Sequence, residues 1–241
     1  MAITTPGAVD YHLASQTGNL SINPQTANSL LCWINASTWT GFGGTNSMVG
    51  TYNSATAGGT AIQIGTRTSN GNCDVWTWGG TVLVSSGGGT GITTLTNGVW
   101  YHIGYTYDGT THCLYINGVI TNTATTAQIA GTITAIYING YPTGGVAETG
   151  PFSVDDISYF NRTLSADEVL TAYTTAGDRD GIRYGCTASI LFAEGGNGTT
   201  ANNCTDYTGN GNNLTPIGAA TGVNFTYLPS YISGDSRPPQ G

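Results

Sequence analysis

Asp74, Trp76 and Trp78 have the residue types and the spacing of a carbohydrate-binding surface. Side chains two residues apart on a β-strand point the same way, so these three would share one strand face. An aromatic ring stacks on the apolar face of a pyranose, and a carboxylate accepts hydrogen bonds from its hydroxyls. The same spacing is also typical of tryptophans packed inside a β-sandwich, so the pattern supports both interpretations.

The loop that contains Asp206, Asn210 and Asn212 is the second candidate site. Its sequence, Asp-Tyr-Thr-Gly-Asn-Gly-Asn, is rich in oxygen atoms that could bind a cation. Ca²⁺ accepts carboxylate, amide and backbone oxygens in irregular geometry, so these three residues could hold a calcium ion. Asn-Gly loops also form tight turns without any ion, and this alternative is left open.

The acidic residues do not form the pair that a glycoside hydrolase of the retaining type needs. That chemistry uses two carboxylates about 5–5.5 Å apart, typically from closely spaced acids on one strand. Asp155 and Asp156 are adjacent, so on a strand their side chains would point to opposite faces. The three glutamates are isolated from one another, at positions 148, 168 and 194.

The histidines and cysteines complete the search for catalytic groups. His102 and His112 flank an Asp-Gly turn and could face each other across a hairpin, but no nucleophile with an orienting acid accompanies them. The five cysteines are an odd number without a C-x-x-C pair, which argues against a disulfide framework and a zinc site. We therefore predict no catalytic residues, no enzymatic activity and no cofactor other than the calcium ion considered above.

The composition excludes several partner classes. Charged residues make up 7% of the 241 positions, and 37 positions are glycine. The five basic residues are all arginines and the net charge is −8, so no cluster could neutralise the phosphates of a nucleic acid. The apolar stretches are strand-sized, which predicts no membrane span. The N-terminal residues lack the pattern of a signal peptide, so we expect synthesis in the cytosol and release by a route without a leader.

Alternating apolar residues predict strands along most of the chain. Residues 99–107 place aromatic and aliphatic side chains on one face, an Asp-Gly turn leads into a strand at 112–116, and an Asn-Gly turn follows. An apolar run predicts another strand at 30–34. Further strands are predicted at 47–51, 61–66, 73–78, 81–84, 133–138 and 152–160.

One short helix interrupts these strands. Ser165-Ala166-Asp167-Glu168 is a capping box, in which Ser165 and Glu168 each accept a hydrogen bond from the other's backbone amide. It predicts a helix near 166–175 that ends before Gly177. Strands and turns with one peripheral helix are typical of an all-β, two-sheet antiparallel sandwich of the jelly-roll type.

Three segments carry a family resemblance. They are residues 31–34 (LCWI), residues 100–119, which contain WYHIGYTYDG and LYINGV, and residues 154–169 (VDDISYFNRTLSADEV). In this order they resemble the core of LamG-like, concanavalin A-like lectin/glucanase jelly rolls, over about residues 20–176. The resemblance implies a concanavalin A-like sandwich for this region.

The C-terminal region resembles the segment with which such domains ordinarily begin. The relevant stretches are residues 190–200 (ILFAEGGNGTT) and 206–213 (DYTGNGNN). We therefore divide the chain into a jelly-roll core at 1–176 and a β segment at 177–241 with an extended tail at 229–241. The segment would complete the same sandwich as a circular permutation or a neighbouring copy's sandwich by swapping.

These observations favour a structural role on a virus particle. Low charge, no leader and no active site suit an inert module, and lysine-poor LamG-like chains of this kind resemble bacteriophage structural proteins. We predict a virion protein, preferably a capsid decoration protein, that forms homo-oligomers and contacts capsid or tail proteins through termini, loops and strand edges. The alternative is a carbohydrate-binding module on a tail fibre or a cell surface.

Overall fold

The computed structural model describes residues 2–4, 12–15, 20–39, 46–53, 60–66, 71–77, 80–138, 152–175, 182, 184–192, 204–217 and 224–226. Trp78, Glu148, Glu194 and the tail at 229–241 lie outside these ranges. Within them, fifteen strands form two antiparallel sheets, and one α-helix lies outside the sheets. The predicted all-β, two-sheet sandwich with a short peripheral helix is confirmed.

Strands are numbered in chain order. The first sheet contains β1 (Ala2–Thr4), β3 (Asn28–Ala36), β8 (Tyr101–Tyr107), β9 (His112–Ile116), β10 (Val119–Ala124), β12 (Phe152–Phe160), β13 (Cys186–Ile190) and β15 (Asn224–Thr226). The second sheet contains β2 (His12–Ser15), β4 (Asn46–Asn53), β5 (Thr60–Thr66), β6 (Asp74–Trp76), β7 (Val82–Ser85), β11 (Ile133–Ile138) and β14 (Leu214–Ile217). Their orders are β10-β9-β8-β3-β12-β1-β15, with β13 also paired to β12, and β14-β2-β11-β4-β5-β6-β7.

The main core lies between the two sheets. Leu30 and Ile34 of β3 belong to the same fully buried cluster as Ile62 of β5 on the opposite sheet. Leu31 and Trp33 alternate to the other face of β3, where they join separate buried clusters. Because both faces of β3 are covered, the strand is a continuous apolar run rather than an alternating one.

The helix α1 (Ala166–Thr175) covers the outer face of the first sheet. Its predicted capping box is present, since the Glu168 amide donates to Ser165 Oγ at 3.2 Å and the Ser165 amide donates to Glu168 Oε2 at 2.8 Å. Val169 packs against Leu31 in a buried cluster. Gly104 of β8 permits this close approach, because a Cβ there would lie 2.9 Å from Val169 Cγ1. No helix of the described residues is long and apolar enough to cross a membrane.

Three C-terminal strands join both sheets. β13 pairs with β12, β14 pairs with β2, and β15 pairs with β1, where Phe225 lies opposite Ile3. The region after α1 therefore adds strands on both sides of the sandwich. The division of the chain at residue 176 and an exchange of strands between copies stay predictions.

The strand β10 ends the first sheet on one side. Its pairing with β9 shifts register between Ile120 and Asn122. The Thr90 amide donates to the Thr121 carbonyl at 2.8 Å, and Asn122 Nδ2 donates to the Ser85 carbonyl at 2.8 Å. These contacts occupy part of the edge, which limits strand addition by another chain.

Candidate functional site

A pocket of about 540 Å³ lies beside the end of β12, and we call it the polar pocket. Each of its lining residues is uncharged, and six of the eight carry a hydroxyl or an amide side chain. Such groups both donate and accept hydrogen bonds. The lining residues are Leu20, Ser21, Ile22, Asn23, Thr26, Asn161, Thr187 and Asn210.

The segment before β3 forms one wall of the polar pocket. Ile22 exchanges two backbone hydrogen bonds with Ile133 of β11, at 3.2 and 2.7 Å, which fixes the segment to the second sheet. The following turn is closed by Asn23, whose Oδ1 accepts from the Gln25 amide at 2.9 Å. Thr26 Oγ1 donates to the Asn23 carbonyl at 2.8 Å. The Asn23 side chain thus keeps its amide nitrogen available at the pocket.

Asn161 forms a second wall, directly after β12. Its backbone amide donates to the Gly185 carbonyl at 3.0 Å. Gly185 has a φ of 74°, and a Cβ at this position would lie 2.9 Å from Asn161 Oδ1, so glycine is required here. Among the described residues, the Asn161 side chain has no hydrogen-bond partner and both of its polar atoms are open to a ligand.

Asn210 forms the third wall together with β13. Its Nδ2 donates to the Thr187 carbonyl at 3.1 Å, which leaves Oδ1 as an acceptor at the pocket. Asn212 Nδ2 donates to the same carbonyl at 2.7 Å from a buried position. Two neighbouring amides therefore hold the loop at 204–213 against β13.

Asp206 organises this loop. Its carboxylate is 4% exposed and accepts from the Ser189 amide, from the amide and hydroxyl of Thr208, and from the amide and side chain of Asn212. These five contacts are between 2.7 and 3.1 Å long. Asp206 is thus a positioning residue for the wall that contains Asn210.

The structure brings Asp206, Asn210 and Asn212 into one loop, but their arrangement does not fit a calcium ion. The Asp206 oxygens already face five donors, and both asparagines direct Nδ2 toward the Thr187 carbonyl. Nor do the described ranges contain a group of three or more His, Cys, Asp or Glu residues suited to a metal. These hydrogen bonds favour the ion-free turn, the alternative that the sequence left open, over the predicted calcium site.

Asp74 and Trp76 lie together on β6, as the spacing predicts. Both face away from the main core cluster, and in register Trp76 lies opposite Gln63 and Asp74 opposite Gly65. Trp76 is 2% exposed and Asp74 is 5% exposed, so neither side chain offers a free surface. Trp78 lies outside the described residues. Sugar binding by this group stays a prediction, and it requires a conformation that uncovers the Trp76 ring.

The predicted facing of His102 and His112 is wrong. His112 lies opposite Tyr107 in the β8–β9 hairpin, five residues from His102, so the two rings point to opposite faces. His112 stacks on Tyr107, with ring centroids 4.3 Å apart, and bonds to the Tyr105 hydroxyl at 2.8 Å and the Thr126 carbonyl at 2.7 Å. Burial lowers the pKa of His112 and favours the neutral ring.

Glu168 is held by an ion pair and a helix cap, and Asp155 and Asp156 are buried in β12. Glu168 accepts two hydrogen bonds from Arg162, at 2.6 and 2.9 Å, and this pairing lowers its pKa to about 2. Asp155 and Asp156 lie at a bulge in the β12–β3 pairing, where Asp156 has a φ of 52°, so simple strand alternation does not hold there. Both aspartates are 5% exposed.

The protein is thus a jelly-roll sandwich with an uncharged polar pocket beside the end of β12, and the lining of this pocket can donate and accept hydrogen bonds. The chain belongs to the Concanavalin A-like lectin/glucanases superfamily, whose sequence profile matches residues 8–170. The resemblance predicted from the sequence motifs is thereby confirmed. The superfamily includes both lectins and glucanases, so membership leaves enzymatic activity undecided.

Two solved structures illustrate this similarity. A heptameric SAP-like pentraxin from Limulus polyphemus is 16% identical, with a TM-score of 0.58 over 74% of this chain and 83% of the pentraxin. A Bacteroides ovatus protein thought to bind carbohydrate is also 16% identical, with a TM-score of 0.60 over 90% of this chain and 59% of that protein. At this identity the likeness concerns the fold alone. Among curated proteins, none matches the sequence.

Sequence reasoning missed the polar pocket because its walls come from four separate segments. Ser21, Asn23 and Thr26 precede β3, whereas Asn161, Thr187 and Asn210 are widely spaced along the chain. None of these segments has a motif that predicts the others. The one available signal was the Gly-rich loop at 206–213, whose pattern fits either a calcium site or an ion-free turn.

Proposed function

We propose that the protein is a non-catalytic carbohydrate-binding module that binds a neutral sugar in the polar pocket. The observation that carries the proposal is the pocket lining, which consists of amides, hydroxyls and two aliphatic residues. Sugar hydroxyls donate and accept hydrogen bonds, as the open atoms of Asn23, Asn161 and Asn210 do. The volume of about 540 Å³ lies in the range of small-molecule sites.

The charge of the protein favours neutral over acidic sugars. The net charge is −8, and the pocket itself carries no cation that could bind a carboxylate or a sulfate. An anionic sugar would be repelled at long range and would find no counter-charge at the site. Support for carbohydrate as the ligand class also comes from the superfamily and from the assignment of the Bacteroides ovatus protein.

A glycan array with neutral and acidic oligosaccharides tests the proposal. We expect binding to neutral glycans, and we expect Asn161→Ala to weaken it about three- to tenfold, since one or two hydrogen bonds are lost. Thr90→Ala is the surface control, because Thr90 is exposed and its backbone bonds to β10, four strands away from β12 in the first sheet. The proposal fails if the folded protein binds no neutral glycan or if both variants bind like the wild type.

The absence of catalysis is part of the same proposal. Glu168 is held ionised by Arg162 and is therefore a poor proton donor at neutral pH. Incubation with each bound glycan should release no reducing ends. Turnover that disappears on replacing an acidic residue would refute this part and leave the binding site unaffected.

A second candidate function is a virion structural protein, a capsid decoration or tail protein made in the host cytoplasm. The observation that favours it is a pair of exposed apolar side chains on the helix side of the first sheet, Ile120 and Leu170, which are 44% and 43% exposed. These residues are close together, because Gly118 lies against Leu170 at the β9–β10 turn. Exposed apolar side chains that adjoin one another suit contact with another protein.

Mass spectrometry of purified particles distinguishes this second candidate from the first. A virion protein would be found at a fixed number of copies per particle, and Ile120→Asp would reduce that number. Thr123→Asp, on the same strand at an exposed position, is the control. Absence from purified particles would refute a virion role.

A further inference from the structure

Tyr184 is the most exposed large apolar side chain of the described residues, at 84%. An aromatic ring in this position loses contact with the core and offers its face to solvent. Tyrosine rings of this kind are common in recognition surfaces, because they provide a rigid, partly apolar area with few rotatable bonds. Neither the family motifs nor the walls of the polar pocket account for Tyr184.

The ring is nevertheless held in place. Arg162 Nε donates to the Tyr184 carbonyl at 2.6 Å, and the guanidinium lies 5.6 Å from the centre of the Tyr184 ring. The guanidinium is fixed in turn by the two hydrogen bonds that it donates to the Glu168 carboxylate. Ile182 is 2% exposed and anchors the same segment in the cluster below α1. The backbone and one side of the ring are thus fixed before any ligand arrives, which lowers the entropy cost of binding.

Tyr184 is also adjacent to the polar pocket. It directly precedes Gly185, whose carbonyl accepts from the Asn161 amide and whose α-carbon lies against the Asn161 side chain. Arg162, which lies beside the Tyr184 ring, directly follows Asn161. An exposed ring and a hydrogen-bonding pocket therefore share one boundary at Asn161 and Gly185.

We infer that Tyr184 is a stacking subsite that extends the polar pocket, and that the ligand is a neutral pyranose oligosaccharide rather than a single sugar. This inference rests on the proposed function. One sugar unit would occupy the pocket through its hydroxyls, and a neighbouring unit would place its apolar C–H face on the ring. Arg162 contributes by holding the Tyr184 ring in place. It attracts acidic sugars only weakly, because Glu168 already neutralises its charge.

Calorimetric titration with cellotriose, maltotriose and triacetylchitotriose tests the inference, with glucose and N-acetylglucosamine as the matching single sugars. For the trisaccharide that binds best, Tyr184→Ala should weaken affinity about three- to tenfold, the range expected for loss of one aromatic contact. Tyr184→Phe retains the ring and should stay within about twofold of the wild type. Binding of the single sugar should be unchanged by either variant.

Tyr207→Ala is the matched control, because Tyr207 is a second exposed tyrosine, at 49%, outside the pocket lining. It should leave trisaccharide affinity unchanged. If a trisaccharide binds and Tyr184→Ala has no more effect than Tyr207→Ala, the stacking subsite is refuted while the proposed function stands. If Asn161→Ala is also without effect, or if none of the five sugars binds the wild type, the proposed site fails and the subsite fails with it.

Discussion

Replacing Asp206 with asparagine tests whether the loop at 204–213 is held by a hydrogen-bonded carboxylate or by a calcium ion. The carboxylate accepts three hydrogen bonds at Oδ1 and two at Oδ2, and all five donors point at it. Asparagine has nearly the same shape, but one of its terminal atoms donates instead of accepting. In the variant, the new amide nitrogen would therefore face hydrogen-bond donors that pointed at a carboxylate oxygen in the wild type.

The expected loss of stability follows from the contacts at Oδ2, where both donors belong to Asn212. Rotation of the Asn212 amide would turn its unpaired Oδ1 toward the new donor, but its hydrogen bond to the Thr187 carbonyl would be lost. The backbone amide of Asn212 would stay without an acceptor. One buried unsatisfied donor costs about 1–3 kcal/mol and one lost neutral hydrogen bond about 0.5–1.5 kcal/mol, so Asp206→Asn should destabilise by about 2–4 kcal/mol.

Urea unfolding followed by tryptophan fluorescence measures this difference. Asp167→Asn is the matched control, since it makes the same chemical change at an exposed position in the first turn of α1. Only the favourable interaction of the acid with the helix N-terminus is lost there, so the control should cost less than about 1 kcal/mol.

The same experiment with added calcium or EDTA separates the two explanations. We expect the unfolding midpoint of the wild type to be equal in both, because the Asp206 oxygens are already occupied. A ligand that bound only the folded state would raise its stability with concentration. The reasoning is refuted if calcium stabilises the wild type but not Asp206→Asn, or if Asp206→Asn is as mild as Asp167→Asn.

Three further predictions concern the sandwich and its helix. Gly104→Ala should cost about 1–3 kcal/mol in urea unfolding because its methyl would lie 2.9 Å from a Val169 carbon, whereas Gly88→Ala, with its nearest atom at 3.6 Å, should be nearly neutral. Arg162 lowers the pKa of Glu168 from 4.5 to about 2, so this pair stabilises the fold fully above about pH 5 and loses its effect as the pH falls toward 2. Glu168→Gln and wild type should therefore converge in stability near pH 2, and a constant difference would contradict this. Burial lowers the pKa of His112 below 6.5, so stability should decline as the pH falls below that value, and an NMR titration giving a higher pKa would refute the assignment.

The regular elements could be predicted closely from the sequence. The strands expected at 133–138 and 152–160 coincide residue for residue with β11 and β12, and the capping box places the start of α1 correctly. These elements depend on local patterns, namely alternation, turn residues and a reciprocal cap. The error at the histidines arises because the hairpin register pairs His112 with Tyr107, which is five positions from His102, and an odd separation on a strand puts two side chains on opposite faces.

The candidate site could not be predicted in the same way. The polar pocket exists because β13 pairs with β12 and brings Thr187 beside Asn161, and because the Asp206 hydrogen bonds fold Asn210 back onto β13. Both are long-range consequences of topology. Tyr184 gave no signal either, since a single tyrosine between loop residues has no period and its exposure depends on how Ile182 and Arg162 anchor its backbone.

The pairing of β1 with β15 and of β2 with β14 affects the order in which the chain can fold during synthesis. These partners are separated by roughly two hundred residues, so neither pair can form until nearly all the intervening chain has left the ribosome. Until then, the sides of β1 and β2 that will pair with β15 and β14 expose unpaired backbone groups that can recruit other nascent chains. The protein should therefore complete folding late and slowly, and its yield on recombinant expression should improve at low temperature or with a chaperone that shields open edges.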